Sequence, residues 1–126
     1  MLPLGSTGAN FFDIISPEGN ELIVVPAEST DVPVRIQVTP TGAAQNLDGF
    51  AAIIVDLGAN IPRWPNGWTE LAIEQAGSEF YIADVPAGTL PDSEPQSNNK
   101  TLRVAAYKGG KVVQNTGVDF RAYQEQ

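Results

Sequence analysis

Among 126 residues there is no histidine and no cysteine, so any reaction this chain performs has to run on carboxylates, tyrosines or lysines. Ser/His/Asp and Cys/His nucleophile systems, zinc hydrolases and non-haem iron sites all depend on the missing residue types and are excluded. Fifteen acidic residues make some close carboxylate pairs inevitable, as glycoside hydrolysis would need. None stands in a recognisable context, and the expectation is a protein that is not an enzyme. The stretch LPDSEPQSNN, residues 90 to 99, offers the oxygens of Asp92, Glu94, Asn98 and Asn99, the hard ligands that calcium takes. Its spacing is not that of a calcium-binding loop, so it reads as a solvated polar loop, with no metal and no cofactor expected.

Both tryptophans lie in IPRWPNGW, residues 61 to 68. Pro62 and Pro65 stiffen this stretch, and Asn66-Gly67 favours a turn that brings Trp64 and Trp68 together. Large amphipathic rings held at low entropic cost suit a contact site, with Arg63 beside them as a stacking or anion partner. The favoured reading has Trp68 close the core and Trp64 left for contact. Both packed away, or both exposed as a platform for sugar rings or a protein, are the alternatives.

The elements that would position these residues are strands. DVPVRIQV alternates, with Val32, Val34, Ile36 and Val38 on one face, the period of a half-buried strand. FAAIIVDL is a continuous apolar run, a strand buried on both faces. WTELAIEQ alternates weakly with Leu71 and Ile73 inward, SEFYIADV places Phe80 and Ile82 on one face, and TLRVAAY alternates with Leu102, Val104 and Ala106 inward. KGGK is a Gly-Gly hairpin turn, and NTG after it suggests a bulge before Val118, Phe120 and Ala122 resume the alternation. Seven to eight short strands punctuated by ten prolines and twelve glycines predict an all-β fold, an antiparallel β-sandwich. The length suits one domain: residues 11–126 form the sandwich, behind an N-terminal arm of residues 1–10 that is flexible or docks to a partner.

The net charge of −8 argues against nucleic acid as a partner. Before residue 100, thirteen acids face only Arg35 and Arg63; after it, Lys100, Arg103, Lys108, Lys111 and Arg121 face two acids. One basic hairpin therefore sits on an acidic body, which is expected to pair its charges across the sheet. No apolar run is long enough to span a membrane, and the N-terminus lacks the pattern of a secretory signal. The sequence therefore reads as a small open reading frame made in the cytosol, or else as a module of a longer secreted protein.

ISPEGNELIVV, FYIADVPAGTLP and TLRVAAYKGGKVV resemble the bacterial and phage immunoglobulin-like domains. Their first strand often follows a Ser-Pro motif, and their penultimate strand reads Leu-x-Val-x-Ala-Tyr before a glycine turn. The resemblance covers somewhat over half of the chain and implies an immunoglobulin-like sandwich without core cysteines. It further implies a non-enzymatic accessory protein of a virion, of the capsid decoration or cement kind. Such a protein would bind a protein lattice through its sheet edge and its arm, with Leu2, Leu4, Phe11 and Phe12 as anchors, and a homo-oligomer is compatible with it. The alternative is a carbohydrate- or protein-binding module of a surface adhesin or a secreted polysaccharide-degrading protein, with Trp64 facing a glycan outside the cell.

Overall fold

The computed structural model describes residues 10–27, 33–41 and 47–126. Nine strands make two sheets. The first sheet has the order β1 (Phe12–Ser16), β3 (Pro33–Pro40), β7 (Tyr81–Pro86), β6 (Ala72–Ile73). The second has the order β2 (Leu22–Val25), β9 (Lys111–Gln124), β8 (Lys100–Lys108), β4 (Gly49–Asp56), β5 (Thr69–Glu70). All pairings are antiparallel except that of β2 with β9. This is the strand order of an immunoglobulin-like sandwich. Two of the nine strands have only two residues each.

Both lateral margins of the sandwich are closed by chain that changes sheets. The first strand segment leaves the first sheet at Ser16-Pro17, turns through Asn20 with positive φ, and continues as β2 against β9. At the opposite margin β5 pairs with β4, and β6, one residue later, pairs with β7. Leu71 stands at this crossing and is buried, while Ile73 beyond it is exposed. The sequence reading of Ile73 as inward is thereby corrected, because the segment is two crossing pieces and not one alternating strand.

Period-two alternation places the core. Val34, Ile36 and Val38 of β3, Leu102, Val104 and Ala106 of β8, and Phe120 and Ala122 of β9 meet between the sheets. Val32 lies outside the described residues. Phe12, Phe50 and Tyr81 close one end of the core in edge-to-face contacts, with centroids 5.6 and 5.0 Å apart. In β7 the inward residues are Tyr81, Ala83 and Val85, so the expected Phe80 and Ile82 are out of phase by one residue. The register Ile36↔Ala83 with Val34↔Val85 fixes this parity, and a one-residue slip reverses every side chain.

The hairpin of β8 and β9 turns at Gly109 and Gly110, both with positive φ, as the Gly-Gly pair predicts. The bulge falls elsewhere than expected. Ala106 pairs with Gln114 and Tyr107 with Val112, which leaves Val113 as the extra residue, whereas Asn115, Thr116 and Gly117 pair regularly with Ala105, Val104 and Arg103.

Candidate functional site

β4 is buried on both faces and β8 is buried on its outer face at Ala105, and this second face locates the tryptophans. Phe50, Ala52, Ile54, Leu102, Val104 and Ala106 point into the inter-sheet core. Ala51, Ile53 and Ala105 alternate with them, point away from that core and are nevertheless buried. Their cover is the loop 61–68, which folds over the outer face of the five-stranded sheet. A side chain on Gly67 would meet Ile53 at 3.7 Å, and the Trp64 ring lies on Tyr107 with centroids 4.7 Å apart and planes tilted by 35°.

The loop is rigid for local reasons. Trp68 N–H donates to the Pro65 carbonyl at 3.2 Å, closing a turn with Gly67 at φ 82°, a conformation that favours glycine. Asn66 N–H donates to the Arg63 carbonyl, and the Trp68 indole Nε1–H donates to the Pro62 carbonyl at 2.9 Å. The expected Asn66-Gly67 turn is present. The expected division of labour between the two indoles is not, since neither belongs to the core and both are half-buried beside one groove. Trp68 is held by its indole hydrogen bond on the outside of the sheet, so it does not close the core.

This groove has a volume of about 620 Å³ and runs between the tryptophan loop and the start of β9. Trp64 and Trp68 supply its aromatic wall, and Arg63, Arg103 and Lys111 its charge; no carboxylate lines it. Among the described residues none of these three cations has an ion-pair partner. Two other cations of the basic region behave differently, while Lys108, at the exposed hairpin end of β8, has no ion pair among the described residues and does not line the groove. Lys100, buried at the start of β8, reaches the Asp56 carboxylate, and Arg121 lies 3.7 Å from Glu94. Pairing across the sheet thus accounts for Lys100, a loop carboxylate accounts for Arg121, and Arg103 and Lys111 are left gathered with Arg63.

Arg103 is the residue that sequence reasoning missed. It projects from the middle of β8 on the outer face, opposite Gly117 and Ile53. Its Nε is buried with no hydrogen-bond partner among the described residues, and its Nη1 donates only to Asn115 Oδ1, at 3.4 Å. Gly117 makes the room, because a Cβ there would stand 2.9 Å from the Arg103 Cδ and Nε. The signal in sequence was an arginine alternating with core residues opposite a glycine.

Tyr107 ties the site to the rest of the sheet. Its hydroxyl lies over Gly49, where a Cβ would approach it to 2.8 Å. Burial pushes its pKa above the ordinary 10.0, and the charge and hydrogen bond of the Glu70 carboxylate push it further the same way.

The anchors proposed for the arm divide differently. Leu2 and Leu4 lie outside the described residues. Phe12 is 1% exposed in the core, so it is a core residue and not a free anchor. Phe11 packs against the core, and its N–H donates to Gln114 Oε1 at 2.6 Å. In the loop 90–99 the oxygens do not converge: Asp92 accepts from Gln126, Glu94 faces Arg121, and Asn98 donates to Asn20. Asn99 bonds the backbone of Ala122 in both directions at 2.9 Å.

No family model and no curated protein matches the chain. Among solved structures it is similar to part of an endo-β-1,4-mannanase from Thermotoga petrophila, with a TM-score of 0.57 and 13% identity, covering 94% of this chain and 21% of that one. At that identity the likeness is one of fold.

Proposed function

We propose that the chain is a non-enzymatic recognition module that holds a saccharide in the groove beside its tryptophan loop. The observation that carries this reading is the gathering of Trp64 and Trp68 along one open groove, outside the core and locked by turns and an indole hydrogen bond. Fixed aromatic faces with a few convergent polar groups are what a sugar ring stacks on and is oriented by. The mannanase likeness is compatible with it, since a sandwich of this shape forms about a fifth of that polysaccharide-degrading protein. Titrating the protein with mannan, cellulose and pectin oligosaccharides while following tryptophan emission tests the reading. One class shifts the emission, and Trp64→Ala abolishes the response. An emission spectrum indifferent to every saccharide would sink it.

A second reading, a virion accessory protein that clamps an assembled protein lattice, is favoured by a different observation. Asn10 and Phe11 are tied to Gln114 of β9, and no described strand pairs with that side of β9 before Asp119. Among the described residues this stretch of β9 is a sheet edge, where a neighbour's strand could add. Co-sedimentation of the 13.4 kDa chain with particles, lost on deleting residues 1 to 10, is the result this reading requires.

A further inference from the structure

Resting on the saccharide reading, we infer that the groove selects acidic sugars, a ring stacked on the indoles with its oxyanion on Arg103. Three features of the groove point to an anion. In a chain of net charge −8, its lining holds three cations and no acid. Arg35, Lys100 and Arg121 lie beside carboxylates, whereas three of the four cations without such a partner among the described residues, Arg63, Arg103 and Lys111, share this groove. Arg103 is set deepest: its Nε is buried and, among the described residues, unpartnered, and the acceptor of its Nη1 there, Asn115 Oδ1, lies at a long 3.4 Å.

An arginine fork donates two parallel hydrogen bonds to a carboxylate or a comparable oxyanion. A carboxylate or sulfate on a sugar ring accepts from the terminal N–H groups of Arg103 while the ring stays against Trp64 and Trp68. Arg63, exposed on the loop, and Lys111, at the start of β9, flank the same groove and suit charges on neighbouring sugars of an acidic chain. Gly117 belongs to the same device, since any side chain there would push the guanidinium out of position.

The test is calorimetric titration of the full chain with oligogalacturonate, a sulfated galactan oligosaccharide, a neutral mannan oligosaccharide of equal length, and poly-glutamate. One or both acidic saccharides should bind at least about tenfold more tightly than the neutral one, an advantage that shrinks as salt rises. Which of the two binds identifies the oxyanion as carboxylate or sulfate. Arg103→Gln should erase the preference while leaving residual neutral binding. Arg63→Gln with Lys111→Gln, both away from the core, should reduce it several-fold without altering thermal unfolding. Equal binding of neutral and acidic oligosaccharides overturns the selectivity and leaves the saccharide reading standing. Binding of none overturns both, and poly-glutamate binding as tightly as an acidic sugar overturns the role given to the ring.

Discussion

β8 carries two apolar faces that differ in kind. Toward the first sheet, Leu102, Val104 and Ala106 belong to one core with Phe120, Ile36 and Phe12, all essentially inaccessible to water, and the one cation in phase with them, Lys100, is buried and paired with Asp56. Toward the outside, Ala105 is just as buried, but its neighbours on that face are Arg103, Tyr107 and Asn115 under a half-exposed tryptophan loop. Apolar burial of the first kind is what holds two sheets together. The second combines apolar burial with unpaired guanidinium and ammonium groups, which stability alone does not call for. The contrast separates residues kept for the fold from residues kept for contact, within a single strand.

The most severe way to probe that contrast is truncation on the inner side. Phe120→Ala should lower the unfolding free energy in urea by about 3–5 kcal/mol, whereas Trp64→Ala, on the outer side, should cost under about 1.5 kcal/mol while abolishing ligand binding. Equal costs would make the loop a structural cover only. A smaller effect is expected from Gly117→Ala, about 1–3 kcal/mol from crowding Arg103, with loss of acidic-sugar preference as its specific readout. Smaller again is a titration effect. Glu70→Gln should bring the Tyr107 ionisation, followed by ultraviolet absorbance, back down toward 10.0. Because the folded pKa is the raised one, the stability linked to it is present below pH 10 and is lost as pH climbs through the folded value. The smallest change belongs to the exposed pair on the first sheet, where Arg35→Ala should shift stability by no more than about 0.5 kcal/mol.

How much of this the sequence displays depends on whether a residue's environment is set by its own strand. β3 and β8 alternate strictly and show their inward faces directly, and the paired glycines mark their hairpin without help from the fold. Phe80 and Ile82 mislead because they are the bulkier apolar residues of their segment, while the sandwich buries the smaller Ala83 and Val85 beside Tyr81. The segment 69–73 misleads because its two halves serve different sheets. The site was half visible. Pro62, Trp64, Asn66-Gly67 and Trp68 announce a stiff aromatic loop, with Arg63 between them in the chain. Where that loop lands is a tertiary fact, so the sequence alone points Trp68 to the core and shows Arg103, forty residues beyond Arg63, only as one cation of the basic hairpin.

The parallel pairing of β2 with β9 also bears on how the molecule responds to force. Its rungs run from Leu22↔Arg121 to Val25↔Gln124, and Glu125 N–H adds a bond to the Val25 carbonyl. In a parallel pair the leading end of one strand and the trailing end of the other leave in opposite directions. Tension drawn between the two ends of the chain therefore loads these rungs together in shear, so that they must fail as a group and cannot be peeled one at a time. A domain strung between two anchors, on a polymer or on a particle, would yield late and abruptly.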